Sequence, residues 1–423
     1  MLSLNQGKIS LNQGKISQTK SGESLGGTLL YLSVYDPHIP LSGAGTRGVN
    51  FVENLTKFFE IDLIYLEGVG QKPDEEISKK YRSSLPGVRS KTPIKFTQFD
   101  YFVYSKSLYK EAVKKLEKTH YDWLLCDYGL SAIYGSLLSK RFKIPFIYCS
   151  HNIEYLLYWD KAKTDRRRLL LLPYVYWMER LGAKLSNILV AISQNDADYY
   201  RKNSVGEDKI LVIPQGFDSA TFNPFYQPPQ NDPKVILFCG NYGIQQNREA
   251  VTIVREQILE KVLADFPNVI FRFIGANPPQ NIKHPNIEFT GFVEDYPSEL
   301  KRADVFISPL KQGRGFPTKI VESLACGKPT IATSVGARAI EGDYQSLQVC
   351  DLSEFPEKIC QVLHMNNWVN FSDFEKLKRR YSWENNIRTL VDKMNQNKIK
   401  FEFSSQDKNE NANSLLLNSV GQK

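Results

Sequence analysis

Residues Gly313 to Gly327 read Gly-Arg-Gly-Phe-Pro-Thr-Lys-Ile-Val-Glu-Ser-Leu-Ala-Cys-Gly, and they combine the residue types that a phosphorylated ligand requires. Glycines let backbone approach a ligand closely. Thr318 can cap a helix that starts beside it. The unpaired N–H groups of such a start welcome an anion. Lys319 and Glu322 stand three apart and share a helix face. A cation and a carboxylate turned to one crevice can hold a diphosphate and a ribose together. The plainer reading of the same spacing is an i,i+3 salt bridge on an ordinary loop-helix.

A second set surrounds His151. Pro145–Cys149 reads as a buried strand, and Ser150-His151-Asn152-Ile153-Glu154 follows it. His151 is either a group at a ligand-facing strand end or a satisfied core histidine. Asn152 and Glu154 either serve that site or only shape the turn. Asp127 follows the strand Trp123–Cys126 and reads as a cap. A third set is Gly43, Gly45 and Gly48, which match G-x-G-x-x-G, with Glu67 beyond the next strand as in a dinucleotide fingerprint. That fingerprint puts its first glycine directly after a strand; here seven residues, two of them prolines, intervene after Tyr35. Arg47, inside this loop, reads as a ligand contact or as a surface ion-pair partner.

Several other patterns are set aside. Asp196-Ala197-Asp198 falls in a helical pattern, so its carboxylates do not share a face, and it reads as solvated surface. Gly22-Glu23-Ser24-Leu25-Gly26 lies in a polar leader where no strand-to-helix elbow can form. The five histidines include no H-x-x-x-H, so no metal site is expected. Six cysteines without C-x-x-C spacing read as reduced core thiols. The chain of 423 residues, 42% hydrophobic and 24% charged, suits a soluble protein of two or three domains. Its net charge of +8 fits anionic ligands or an anionic membrane better than it fits a nucleic-acid footprint. No apolar run reaches a membrane span, and the polar start gives no signal peptide, so a cytoplasmic location is expected.

The elements that must position these residues follow in order. A leader, 1–25, carries a heptad duplicated at 4–10 and 11–17 and is expected to be disordered. The first domain, 26–222, opens with the strand Thr28–Tyr35, a glycine-rich loop and a helix over Val49–Phe59. A strand at Ile61–Leu66, a polar excursion at 70–92 and a helix at 105–118 come next. Residues 161–181 are basic, leucine-rich and aromatic. Such a segment lies on an anionic membrane, or packs on its own domain with its arginines in water. Residues 223–233 read as a linker, and 234–383 as a second α/β domain with a long helix at Asn247–Leu263. A helix at about 384–397 is expected to cross back to the first domain, before a polar tail, 398–423. Helix and strand alternate throughout, the pattern of doubly wound sheets whose ligands collect at the strands' carboxyl ends.

The whole resembles the GT-B glycosyltransferases, most closely the retaining enzymes of glycosyltransferase family four, over roughly residues 28–396. The resemblance rests on Gly313-x-Gly315-x-x-x-Lys319-x-x-Glu322-x-x-Ala325-x-Gly327-x-Pro329 with Thr333 and Gly336. Ile213-Pro214-Gln215-Gly216-Phe217-Asp218, His151-Asn152-x-Glu154 and Tyr381-Ser382-Trp383 add to it. It implies two Rossmann-like domains facing across a cleft and transfer of a sugar from a nucleotide-diphosphate donor to a glycan or lipid-linked acceptor. It also implies Glu322 on the donor ribose, Lys319 and the helix start on the diphosphate, and His151 near the transferred sugar. Gly240, Asn241, Arg248, Gly313, Arg314, Gly315, Phe316 and Thr318 would line the donor, and Gly43, Gly45 and Arg47 would form the first-domain loop. No cofactor or metal is implied beyond the nucleotide-sugar. A peripheral place on the inner membrane face follows if 161–181 touches lipid.

Two departures stand out. Relatives often carry a glutamate eight before Glu322, where this chain has Arg314. They also carry a basic pair after the second domain's first strand, where it has Asn241 and about Gln246. These motivate one rival, a non-catalytic nucleotide-sugar-binding or scaffolding protein. The 43–48 glycines motivate another, a nicotinamide-dependent oxidoreductase. A basic nucleic-acid-binding protein is the third.

Overall fold

The computed structural model describes residues 27–38, 43–67, 85, 87–95, 105–224, 232–313, 316–365 and 371–397. The duplicated leader, most of the 223–233 linker, the tail, Arg314 and Gly315 lie outside the described residues.

The first sheet has seven strands in the order β3-β2-β1-β4-β5-β6-β7. They are β1 Gly27–Ser33, β2 Phe59–Glu67, β3 Val88–Lys95, β4 Trp123–Asp127, β5 Phe146–Cys149, β6 Ile188–Ala191 and β7 Ile210–Val212. The helices between them are α1 Gly43–Leu55, α2 Lys106–Lys118, α3 Ala132–Phe142, α4 Glu154–Thr164, α5 Leu172–Leu185 and α6 Gln194–Lys202. The second sheet runs β10-β9-β8-β11-β12-β13. Its strands are β8 Val235–Cys239, β9 Ile270–Ile274, β10 Ile287–Gly291, β11 Val305–Ser308, β12 Thr330–Ala332 and β13 Leu347–Val349. Around it stand α7 Gln245–Ile253, α8 Leu259–Leu263, α9 Tyr296–Arg302, α10 Thr318–Ala325, α11 Phe355–His364 and α12 Phe371–Tyr381, and a last helix, α13, spans 383–397. Every strand pairing in both sheets is parallel. The order in which strands are added reverses between β1 and β4 in one sheet and between β8 and β11 in the other, so each sheet opens a crevice there. This is the two-domain α/β architecture of GT-B proteins.

Strands covered by helices on both faces must be apolar throughout, and β4, β5 and β6 are buried along their whole length. The edge strand β3 is half exposed, with Arg89, Lys91, Pro93 and Lys95 along it. Those residues hid it inside what reads as a polar excursion. Helix α1 corrects a larger expectation. It starts at Gly43, not Val49, so Gly43, Gly45 and Gly48 belong to a helix and not to a loop. Three glycines weaken a helix by about 1 kcal/mol each; a tertiary anchor, Arg47, compensates. The long helix expected at Asn247–Leu263 runs from Gln245 and is broken by a π-helical turn over Val254–Ile258.

The chain crosses between the sheets twice, and the crossings touch. Phe217 and Ser382 form a parallel bridge. The Phe217 N–H donates to the Tyr381 carbonyl at 2.9 Å and the Trp383 N–H to the Phe217 carbonyl at 3.1 Å. Gly216 is required there, since a Cβ would stand 2.6 Å from the Trp383 ring. Tyr381 packs into the second domain's core, whereas Trp383, Ile387, Leu390 and Met394 pack beneath β1 and β4. Arg47 is wholly buried against this junction. Its guanidinium donates to the Ile213 and Pro214 carbonyls at 3.0 and 3.1 Å. It also lies over the rings of Phe51 and Trp383, 4.5 and 5.8 Å from their centroids. The expectation of a ligand contact or a surface ion pair at Arg47 is thereby corrected.

Replacing Arg47 by Met leaves the Ile213 carbonyl without its side-chain donor and the Pro214 carbonyl with Asn386 alone, and it removes the cation from two aromatic faces. The expected outcome is a loss of about 3 kcal/mol in urea unfolding; a loss below about 1 kcal/mol would mean that the junction holds without it.

Candidate functional site

The second domain contributes α10, delivered to the carboxyl end of its sheet by β11. Gly313 has φ +154°, in the region that favours glycine, where the chain turns back after β11. The cap expected of Thr318 is not made. Helix α10 starts at Thr318 with Pro317 before it and no side-chain cap; the Thr318 and Ile320 N–H groups donate to the Phe316 and Pro317 carbonyls at 2.9 Å each, which leaves the Lys319 N–H for a ligand. Gly327, at φ +72°, ends the turn after it. Lys319 reaches across the crevice to the last residue of β8. Its Nζ donates to the Cys239 carbonyl at 2.6 Å, lies 3.4 Å from Asn247 Oδ1, and sits 4.5 Å from the Phe238 ring centroid. Burial lowers its pKa, against the opposing pull of Cys239 and Glu322. Glu322 lies one turn on. Among the described residues no side chain donates a hydrogen bond to its carboxylate. Burial pushes its pKa up to about 8, and Lys319 offsets this only in part. The lysine is therefore a pinned cation at the strand crossing, and the glutamate is an acceptor held back from water.

The remaining second-domain candidates surround this pair unequally. Gly240 follows β8, where a Cβ would meet the Asn247 side chain at 2.8 Å. Asn241 Oδ1 accepts from the Gly243 N–H and from Asn277 at 2.8 and 2.9 Å, which holds the loop. Arg248 is exposed and folds back, with Nη1 donating to the Tyr242 and Gly243 carbonyls at 2.8 Å each. Phe316 leans on Tyr381, 5.6 Å between centroids. It lines a cavity of about 290 Å³ shared with Ser193, Gln194 and Pro214 of the first domain and Glu341 of the second. Arg338, which reads as an exposed loop arginine, is half-buried and donates to the Gly313 carbonyl.

The first domain brings His151 and Asp127 together. Asp127 ends β4 and pairs in register with Cys149 of β5, two residues before His151. His151 Nε2 lies 2.7 Å from Asp127 Oδ1, both buried. Asp127 is therefore the histidine's partner rather than a cap, a link invisible without the strand register. Tyr128, at φ +77° and ψ 149°, turns its ring edge-on to His151 at 5.2 Å. That backbone conformation costs about 1–3 kcal/mol outside glycine and recurs at functional sites. Gly129 follows because a Cβ would lie 2.1 Å from Glu154 Cγ. Glu179 accepts from the N–H groups of Glu154 and Tyr155 at 2.7 and 3.2 Å and from the Tyr200 hydroxyl at 3.0 Å, capping α4 from α5. Burial, with Glu179 adding repulsion, pushes Glu154 up to about 8, and burial pushes Glu179 up to about 7. Gly43 and Gly45 stand on the first turn of α1. Among the described residues no group of three His, Cys, Asp or Glu side chains could hold a metal ion, and no helix is long and apolar enough to cross a membrane.

Residues 233–365 match the family model described as Glycosyl transferases group 1, and residues 41–221 that of Glycosyltransferase Family 4; together they take in about three-quarters of the chain. A phosphatidyl-myo-inositol mannosyltransferase of Mycolicibacterium smegmatis is 26% identical over 148 residues, 33% of this chain and 37% of that protein. The chain thus matches little more than a third of that relative's length. An N,N'-diacetylbacillosaminyl-diphospho-undecaprenol alpha-1,3-N-acetylgalactosaminyltransferase of Campylobacter jejuni is 23% identical over 282 residues, 62% of this chain and 73% of that one. Among solved structures, Anabaena HepE in complex with UDP superposes with a TM-score of 0.63 at 13% identity, over 87% of this chain and all of that one. A sucrose-phosphate synthase of Thermosynechococcus elongatus gives 0.62 at 16% identity, over 87% and 98%.

Glu322, Glu154 and Glu179 share a sign. Each has a native pKa above its ordinary 4.5. Their neutral forms therefore support the fold fully at low pH, and that support is lost as pH rises from about 4.5 through 7 to 8. Calorimetric melting across pH 5 to 8 should decline less steeply in Glu322→Gln and Glu154→Gln than in the parent chain. Parallel curves would mean that these carboxyls titrate normally.

Proposed function

We propose that this chain, which belongs to the family 4, group 1 glycosyltransferases of GT-B architecture, moves a sugar from a nucleoside-diphosphate donor to a glycan or lipid-linked acceptor with retention at the anomeric carbon. The observation that carries the reading is the Lys319–Glu322 pair at the strand crossing of the second sheet, with the uncapped start of α10 beside it. A ribose presents two hydroxyl donors, and a carboxylate accepts both. The Lys319 ammonium has three donors; the Cys239 carbonyl and Asn247 take two directions, and the third is left for a phosphate oxygen. As the sugar leaves, negative charge grows on the diphosphate. The Lys319 ammonium, its backbone N–H and the positive end of the α10 dipole meet it as fixed donors. The reading needs no bound metal ion, since protein groups supply the positive charge.

His151 stands across the cleft, on the domain that takes the acceptor. Asp127 fixes its ring through Nε2 and leaves Nδ1 for the sugar. Among the relatives, the Campylobacter enzyme is named for a diphospho-undecaprenol acceptor and the mycobacterial one for a phosphatidylinositol, which supports a lipid-borne acceptor. HepE was crystallised with UDP, which supports a nucleoside-diphosphate donor. Retention rests on the family resemblance.

Glu322→Ala should abolish transfer while circular dichroism stays that of the parent; full activity in the variant would overturn the assignment. Among UDP, GDP, ADP and CMP compounds and their sugars, the true donor at 100-fold over its dissociation constant should add about 2.7 kcal/mol of stability. Ribose hydroxyls favour the ionised carboxylate, and Glu322 is neutral below about pH 8. Donor binding should therefore tighten between pH 6 and 8 and release a proton, measurable by titration calorimetry in buffers of different ionisation enthalpy. Glu322→Gln should remove that release.

A further inference from the structure

Seven of the twelve exposed large apolar side chains among the described residues lie between Leu137 and Leu185. Leu137 is on α3 and Trp159 on α4. Leu169 and Leu170 are on the 3-10 turn Arg166–Leu171, and Trp177, Leu181 and Leu185 are on α5. Helix α5 has apolar residues on two opposite faces. Leu172, Val175, Gly182 and Ala183 point inward, and α3 is so close that a Cβ on Gly182 would lie 2.2 Å from Ala132 Cβ. Trp177, Leu181 and Leu185, four apart, form the opposite face and meet solvent. Leu170 is 85% exposed and Trp177 69%. An aromatic row joins the two helices: Trp159, Tyr155, Tyr176 and Trp177, with successive centroids 6.5, 5.1 and 5.9 Å apart. A domain that needed only its own core would not spend leucine and tryptophan on the outer face of a helix already packed by its inner one.

The rim of this patch is cationic. Lys163, Arg166, Arg167 and Lys184 are exposed beside it; Lys163 pairs with Asp160 and Arg167 with Asp165, and the cations outnumber these two carboxylates. Tryptophans at the edge, leucines between them and long cationic side chains around them match the layers of a bilayer interface: headgroup, acyl boundary and phosphate.

We infer that the outer face of α4, the Arg166–Leu171 turn and α5 docks on an anionic lipid bilayer. The sequence leaves open whether 161–181 packs on its own domain or lies on a membrane; the two faces of α5 allow both at once. The consequence for the acceptor rests on the sugar-transfer reading above. Helix α4 starts at Glu154, three residues after His151, and its 11 residues extend about 16 Å. The docked face thus begins within the reach of a lipid headgroup from the acceptor side of the cleft.

The test uses the full chain with vesicles of phosphatidylcholine alone, and with one part phosphatidylglycerol to two of phosphatidylcholine, at low and high salt. The chain should sediment with the anionic vesicles at low salt and release with salt, with a blue shift of tryptophan emission. Leu170→Ser and Trp177→Ser should each weaken partitioning roughly tenfold, and Arg166→Gln and Arg167→Gln about fivefold each. Donor-induced thermal shift should be unchanged in all four, which separates failure here from failure of the sugar-transfer reading. No sedimentation with anionic vesicles would overturn the proposal. So would sedimentation unaffected by these variants, or a dimer in light scattering that Trp177→Ser dissociates.

Discussion

The two hydrogen bonds from the Arg47 guanidinium to the Ile213 and Pro214 carbonyls set the geometry on which both half-sites depend. A cleft enzyme needs two sheets whose carboxyl ends stay opposed while the domains retain freedom to move. Here the covalent links are two short crossings, and they are adjacent. The outgoing one is fastened by Arg47 from α1, and the returning one by the Phe217–Ser382 bridge. Trp383 lies between them, against Arg47 on one side and against the space left by Gly216 on the other. A charge buried this completely is expensive unless every donor has work. Two carbonyls and two aromatic faces supply most of it, so the arginine fixes the direction in which the chain leaves the first domain.

The opposed strand ends then gather charges that burial makes unfavourable. Lys319 is pushed down and Glu322 up by the same cause, the loss of water. Their attraction does not cancel it, because the lysine is drawn to the Cys239 carbonyl. On the other bank, Glu179 spends its carboxylate on the start of α4, and Glu154 is left neutral beside it. A fold selected only for stability would replace such groups. Their persistence at facing strand ends, beside the strained Tyr128, is the pattern of a site that stores unfavourable energy for a ligand to relieve.

Much of this was legible in the sequence, and the exceptions share a cause. Continuous apolar runs such as Trp123–Cys126 and Pro145–Cys149 announce buried parallel strands, and the turn from Gly313 to Gly327 announces a ligand-facing helix. Local patterns suffice for these. The glycines at 43, 45 and 48 misled because their helix is held by Arg47, whose partners lie more than 160 residues away. The Asp127–His151 contact could not be read because it depends on the register of β4 against β5. Strand β3 is hidden in the sequence because an edge strand with charged residues looks like a loop. Gly129, two residues after a strand, is a local signal of the close approach of Glu154.

The loop after β11 couples the two banks. Its Gly313 carbonyl is held by Arg338, and Arg338 also lowers the pKa of Asp196 at the start of α6 in the first domain, against the rise that burial causes. Phe316, three residues further on, lines the cavity that Ser193 and Gln194 of the first domain help to close. A movement of one domain against the other therefore shifts the backbone that presents α10. The Lys319 side chain follows little, since it is tied to β8 within its own domain, whereas the backbone N–H of Lys319, at the uncapped start of α10, sits at the moving end. The cation keeps a fixed address and the helix start is adjustable. That division suits a leaving diphosphate, whose charge must be met more strongly once the bond to the sugar lengthens than before.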